Sequence, residues 1–254
     1  SSLVNFTIDI TSPQINFTSP TPANSSSQTA TSVYINISSN DSVGREHSTF
    51  VNWNYSLVLW MPFDVRNSSN DPLDISGYGN NGAKVGNALF NQSGKHGGAM
   101  TFDGSSGFID IPDMPSSINS NSTISFWVKP NMLSGNKILV CTGATRVPCI
   151  GFYNGNNLIL TGSSNLSRYA TTSIQVNDWY HILVTYNGSS TPFVYVNGLE
   201  QSYTGSQYWE SSESSIGRRS SGNYFNGSID DVMIFNRALS AGEISSLYNA
   251  SATK

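Results

Sequence analysis

Charge is what this sequence has least of. Only 11% of its 254 residues are Asp, Glu, Lys or Arg, less than half of the roughly 25% usual in soluble domains. The twelve basic residues are scattered and the formal net charge is −4. That excludes nucleic acid and acidic membrane surfaces as expected partners, since both are bound through concentrated Lys and Arg. The three histidines, His47, His96 and His181, form no HExxH motif, and no GxSxG elbow occurs, so metalloprotease and serine-hydrolase chemistry lack their usual carriers. His181, within WYHILV, reads as a strand residue. Long apolar runs are missing too. The longest, SLVLWMPF, is far too short to span a bilayer, and no charged-then-apolar leader is visible, so no membrane insertion is expected. Cysteine is down to Cys141 and Cys149, in ILVCTGATRVPCIGF. They flank a Gly- and Pro-containing turn between apolar runs, a spacing that suits a disulfide across a hairpin in an extracellular protein.

What replaces charge is Ser, Thr and Asn. Sequons begin at Asn5, Asn16, Asn24, Asn36, Asn40, Asn54, Asn67, Asn91, Asn121, Asn165, Asn187, Asn226 and Asn249, thirteen in all, where chance in so polar a chain gives roughly seven. N-linked glycans at several of them would supply the hydration layer that a charge-poor surface lacks.

Alternation dominates the apolar residues. TISFWVKP, WYHILVTY, FVYV and SIDDVMIF read as strands, and Asn197-Gly198 between alternating runs is a two-residue hairpin signal. Trp60, Trp127 and Trp179 lie in such blocks and are expected in the core. The convincing helix is short and near the end, where Ser240 and Glu243 make a capping box ahead of Ile244, Leu247 and Tyr248. The fold class is therefore all-β: an antiparallel two-sheet sandwich or jelly roll with one C-terminal helix.

The first 56 residues have another texture. QINFTS, SVYINIS and TFVNW are strand candidates between Pro-, Asn- and Gly-rich turns. They are too few for an immunoglobulin-like sandwich, which needs about seven strands and about 100 residues. LVNFTIDI at the start alternates cleanly, with Val4, Phe6, Ile8 and Ile10 on one face, and nothing before it to pair with. Residues 1–11 thus read as a candidate donor strand, 12–56 as a partial Ig-like connector, 57–250 as the main domain and 251–254 as a tail.

The blocks LVLWMPFD, DISGYGNNGAKVGNALF, GKHGGAMTFDGSSGFIDIPD, TISFWVKP, WYHILVTYNG, FVYVNGLE and NYFNGSIDDVMIFNRALSAGEISSLYN, in that order over residues 57–249, resemble the laminin-G-like, concanavalin A-like jelly-roll family. The N-terminal segment resembles the Ig-like linkers beside such jelly rolls in surface proteins of archaea and uncultured prokaryotes. The resemblance implies a usually non-catalytic domain of extracellular lectin, adhesion and matrix proteins. It also implies a structural calcium ion, carried over to Asp74, Asn80 and Asp230 with Asp231 as an alternative; their hard oxygens suit Ca²⁺. The same residues equally suit a turn cap at Asp74 and a backbone bond at Asp230. Glycosidases of this fold use carboxylates spaced as E-x-D-x-x-E along one strand face; the five glutamates, Glu46, Glu200, Glu210, Glu213 and Glu243, provide no such spacing, and no enzyme is expected.

Two functions follow as expectations. In the first, the chain is an extracellular structural subunit of a surface filament or matrix, whose N-terminal strand completes the open Ig-like sheet, or a jelly-roll edge, of the next copy in a head-to-tail polymer. In the second it is a lectin-like adhesion module, with Tyr203, Tyr208 and Trp209 of QSYTGSQYWESS as a platform for a sugar ring. Such aromatics also serve as core or cross-strand partners.

Overall fold

The computed structural model describes residues 14–19, 36–40, 55–114, 118, 121–143, 149–153, 157–161, 167–188, 192–205, 213–219 and 222–252. The chain divides into two compact units, Ser1–Val51 together with Lys254, and Asn52–Thr253. In the first, β1 (Gln14–Thr18) pairs antiparallel with β2 (Asn36–Asn40), Gln14 opposite Asn40 and Thr18 opposite Asn36. The expected donor strand with Val4, Phe6, Ile8 and Ile10 lies outside the described residues, and so do residues 32–35 and 49–53.

The second unit carries, in chain order, β3 (Leu57–Met61), β4 (Ala83–Val85), β5 (Leu89–Asn91), β6 (Ala99–Asp103), β7 (Phe108–Asp110), β8 (Ser122–Pro130), β9 (Lys137–Thr142), β10 (Cys149–Tyr153), β11 (Asn157–Thr161), β12 (Ser167–Ser173), β13 (Tyr180–Tyr186), β14 (Phe193–Val196), β15 (Leu199–Gln201), β16 (Tyr203–Gly205), β17 (Ser214–Ile216), β18 (Asn226–Phe235) and α1 (Ala241–Ala252). The strands form two antiparallel sheets. The front sheet runs β16-β12-β11-β10-β9-β17-β7-β4. The back sheet runs β15-β14-β13-β8-β18-β6-β5, with β3 also on β18.

Alternation explains the packing. Ile124, Phe126 and Val128 of β8, Ile182 and Val184 of β13, Ile150 and Phe152 of β10, and Leu158 and Leu160 of β11 meet in one apolar core. Each such side chain contributes about 1.5–3 kcal/mol on burial. The hairpin from β14 to β15 turns on Asn197 (φ 50°) and Gly198 (φ 74°), the doubly positive φ that a tight two-residue loop demands. On one side of β18, β6 pairs with Asn226–Ile229 and β3 with Val232–Phe235, while β8 runs along the other. A bulge between Asp230 and Met233 marks the change, and Asp231 there has φ 48°.

Helix α1 begins as expected: the Ser240 N–H donates to Glu243 Oε2 at 2.8 Å and the Glu243 N–H returns to Ser240 Oγ at 3.4 Å. The Arg237 guanidinium, hydrogen-bonded to the Glu243 carboxylate, holds its pKa down at about 2. The helix buries Ile244 and Leu247 and lays Tyr248 6.1 Å from the Trp127 ring and 5.7 Å from His181. Those two oppose each other on β8 and β13, on the face away from Phe126 and Ile182. Of the three expected core tryptophans only Trp127 is buried. Trp60 is half-buried on β3, and half-buried Trp179 precedes β13 with Lys129 Nζ 5.2 Å from its ring.

Candidate functional site: a polar cleft on the front sheet

In the front sheet β7 and β17 are neighbours, with Ile216 opposite Ile109 and Ser215 opposite Asp110. Ile109 and Ile216 are fully buried in the core, so the period of two turns Asp110 and Ser215 to the opposite face, where Asp110 is exposed and Ser215 is covered. There the surface sinks into an open cleft of about 370 Å³. Asp110, Ile111 and Asp113 line it from the end of β7, and Glu213, Ser214, Ser215 and Arg218 from β17 and its flanks.

The walls are braced from behind. Ser214 Oγ donates to Asp113 Oδ1 at 2.5 Å, and Ser215 Oγ donates to the Arg218 carbonyl at 2.8 Å. The Gly143 N–H donates to the Glu213 carbonyl at 2.6 Å. Gly143 has φ 71°, and a Cβ there would collide with Ser214 Oγ and lie 2.6 Å from Asp113 Oδ1, so only glycine lets the β9 end approach this closely. The Arg218 guanidinium carbon lies 3.6 Å from the Phe108 ring centroid, a cation–π contact. Its Nε is buried and has no hydrogen-bond partner, whereas buried donors are nearly always paired. Among the described residues no ion pair joins Arg218 to Asp110 or Asp113. Beside the cleft, Cys141 opposes Ser215 and is bonded to Cys149 in the expected disulfide, Cα–Cα 4.4 Å. Both cysteines are fully buried and pack with Ile138.

A second polar cluster lies at the β18 bulge. The loop Gly94–Gly98 folds onto it: the His96 N–H donates to Asp230 Oδ2 at 2.9 Å, and the Gly98 N–H to Asp64 Oδ1 at 2.6 Å. His96 Nδ1 meets Asp231 Oδ2 at 2.5 Å and Nε2 meets the Ser251 carbonyl of α1 at 2.6 Å. Asp231 Oδ1 also accepts from Trp60 Nε1 at 3.3 Å, and Asp230 Oδ1 from the Asp231 N–H at 2.8 Å. Burial, reinforced by the charge of Asp231, pushes the Asp230 carboxyl up to about 8, and burial raises Asp64 as well. Burial holds His181 down at about 4; its Nε2 meets Ser125 Oγ at 2.8 Å while Nδ1 has no partner.

The residues expected around calcium each meet hydrogen-bond partners within the protein, and Trp60 links them, its backbone N–H on Asp74 and its Nε1 on Asp231. Asp74 accepts from the backbone N–H groups of Trp60, Ser76 and Asn80 and from Ser76 Oγ, all at 2.8–2.9 Å. Asn80 turns its amide NH₂ to the Val58 carbonyl, and Asp230 faces backbone donors. Among the described residues no group of three or more His, Cys, Asp or Glu is placed to hold a metal ion. In this arrangement the Asp74 and Asp230 carboxylates accept hydrogen bonds from backbone N–H groups. Of the expected aromatic platform, Tyr203 lies in β16, and Tyr208 and Trp209 lie outside the described residues. Of the sequon asparagines, Asn16, Asn67, Asn121, Asn187 and Asn249 are exposed; Asn91 and Asn226 are half-buried, and Asn226 Nδ2 donates to the Asp103 carbonyl at 3.3 Å. Asn36 and Asn40 lie in β2, and Asn5, Asn24, Asn54 and Asn165 lie outside the described residues.

Two packed antiparallel sheets with a single terminal helix define a jelly-roll sandwich of the concanavalin A type. The family model described as the concanavalin A-like lectin/glucanases superfamily, a laminin G family, matches residues 103–245, and the chain belongs to it. No curated protein matches the chain. Among solved structures it is similar to domain 4 of AbnA, a GH43 extracellular arabinanase from Geobacillus stearothermophilus, in complex with arabinotriose: 24% identity, TM-score 0.59, covering 76% of this chain and 98% of that one. It is also similar to the binding domain of Paraclostridial Mosquitocidal Protein 1, at 19% identity and TM-score 0.59, over 78% of this chain and 53% of that one. The binding domain of botulinum neurotoxin DC in complex with SialylT is similar at 19% identity and TM-score 0.58, over 77% and 52%. The chain thus spans about half the length of the toxin domains it resembles.

Proposed function

We propose that this chain is a non-catalytic carbohydrate-binding module of an extracellular, N-glycosylated surface protein, and that the cleft between β7 and β17 receives the glycan. The observation that carries this reading is Arg218. Its guanidinium lies against Phe108 and borders a wall whose other polar groups are carboxylates and hydroxyls. Sugar hydroxyls are both donors and acceptors, so a glycan answers each of these groups at once. Membership of a lectin/glucanase superfamily supports it, as do two structural neighbours described in complex with arabinotriose and SialylT. These favour the binding module over the filament subunit, whose donor strand lies outside the described residues.

The test is a glycan array followed by calorimetry on the wild-type chain and on Arg218→Gln. Binding weakened at least about tenfold, the cost of roughly one charge-assisted hydrogen bond, with an unchanged melting temperature, supports the reading. Equal binding by the variant would place the glycan elsewhere, and silence across the array would remove the lectin function.

A further inference from the structure

Away from the cleft, the loop 74–82 holds an aromatic side chain at both ends and leaves it open to solvent. The Ile75 N–H donates to the Trp60 carbonyl at 2.9 Å and Asn80 Nδ2 to the Val58 carbonyl at 2.8 Å, which fixes the loop along β3. Near its middle stands Tyr78, between Gly77 (φ 95°) and Gly79 (φ 76°). The Tyr78 N–H donates to Ser76 Oγ at 3.3 Å, and its hydroxyl donates to the Tyr55 carbonyl at 2.8 Å. The ring is thus anchored through its backbone at one end and its hydroxyl at the other. Tyr78 is nonetheless 50% exposed, Tyr55 77% and Ile75 42%. A Cβ at Gly77 or Gly79 would meet nothing within 4 Å, so the approaches on both sides of Tyr78 are open. Exposed apolar side chains need no explanation when scattered singly; here two tyrosines are joined by a hydrogen bond, with the isoleucine on the same loop. Tyr55 also has φ 55°, a conformation that a bulky residue keeps only where its surroundings enforce it.

Resting on the reading of the chain as a carbohydrate-binding module, but not on the cleft between β7 and β17, we propose that Tyr78, with Tyr55 beside it, is a stacking platform for a sugar ring. A tyrosine offers an apolar face and a polar tip. In Tyr78 the tip is used to hold the ring, which leaves the face for the C–H side of a sugar. Because both ends are already tethered, stacking costs little of the rotamer freedom that binding otherwise takes from a side chain. The size of the patch selects its occupant: a stable protein partner covers about 800 Å² on each side, far more than three partly exposed side chains provide, whereas a sugar ring needs only a face of its own dimensions.

The experiment is calorimetric titration of the full chain, and of its variants Tyr78→Ala, Tyr78→Phe and Arg218→Gln, with arabinotriose, cellotriose and lactose, each variant checked by a thermal melt. For whichever of these sugars the wild type binds, Tyr78→Ala should weaken binding about five- to tenfold, the loss of one aromatic face. Tyr78→Phe keeps the ring and gives up only the tether to Tyr55, so it should weaken binding less. If Tyr78→Ala melts well below the wild type, hydrogen exchange on the wild type decides instead: the amides of residues 75–80 should slow when the sugar is bound. Wild-type affinity in a folded Tyr78→Ala, or exchange over residues 75–80 that the sugar leaves unmoved, overturns the platform; a loss in Arg218→Gln would then leave the cleft as the glycan site. Binding weakened by Tyr78→Ala and untouched by Arg218→Gln supports the platform and takes the glycan out of the cleft. No binding of the wild type to any of the three sugars, and none on an array, overturns the glycan reading and the platform together.

Discussion

The cleft on the front sheet and the cluster at the β18 bulge are both gatherings of carboxylates, yet they are built in opposite ways. At the bulge the oxygens of Asp64, Asp230 and Asp231 accept from backbone N–H groups, His96 or Trp60, and α1 closes over the neighbouring Trp127 and His181. In the cleft Asp110 and Asp113 face outward, and a buried Arg218 nitrogen has nothing to donate to. The same residue types thus hold the fold together in one place and border an open hollow in the other. What separates them is whether the hydrogen-bonding capacity has been used up inside the protein.

The contrast can be broken at several points. Trp127→Ala strikes the closed region hardest: the ring is buried among His181, Tyr248 and His96, and its loss should cost about 3–5 kcal/mol. Denaturant melts should show that loss, while glycan affinity at temperatures where the variant is folded stays as in the wild type. A change in affinity would mean that the two regions communicate.

A pH titration of stability probes the same region more gently. Asp230 has a folded pKa of about 8, above its unfolded value near 4, so the native state holds the extra proton and this group's contribution falls as pH rises between those values. His181, depressed from about 6.5 to about 4, works the other way: the unfolded state holds the extra proton, and stability rises with pH across that lower window. The two oppose each other from about pH 4 to 6.5, leaving Asp230 alone from about 6.5 to 8. There stability should decline by about 2 kcal/mol, at roughly 1.4 kcal/mol per unit. Melts of the wild type and Asp230→Ala across pH 4.5–8.5 check this, since the variant should lose the decline above pH 6.5 whatever its absolute stability. A decline that survives the substitution would assign it to another group.

The smallest effect belongs to the cleft. Asp113→Asn keeps an oxygen for Ser214 Oγ but removes a charge, so glycan affinity should fall less than tenfold and the melting temperature by no more than about 1–2 °C, since an exposed substitution changes stability by about 0.5 kcal/mol at most. A fall of many degrees would make Asp113 a structural brace like Asp230.

Much of the sandwich was legible because its signals are local. Strand alternation, the Asn197-Gly198 turn, the Ser240–Glu243 box and the cysteine pair all operate within a few residues, and each appears where it was expected. The cleft was not legible. Asp110 and Asp113 come next to Glu213 and Arg218 only through the pairing of β7 with β17, about a hundred residues apart. Outward-facing polar residues on a strand look alike whether or not they border a hollow. Asp74 shows the reverse problem. An Asp two residues before a Ser serves equally as a metal ligand or as an acceptor for its own loop, and the sequence alone does not announce the bonds Asp74 accepts from the Ser76 N–H and Oγ. The bulge cluster had a partial signal in the consecutive Asp230 and Asp231, but nothing local announces that Asp64 and His96 join them.

The placement of β18 also governs how the chain can fold as it is made. It is the last strand of the second unit, yet β3, β6 and β8 all bond to it. Met61 waits for Val232, and until residues 226–235 emerge from the ribosome three strands lack their common neighbour. Assembly of the back sheet is therefore a late event of high contact order. During synthesis the nascent jelly roll passes through a stage with unpaired strand edges, when mispairing with other chains is most dangerous.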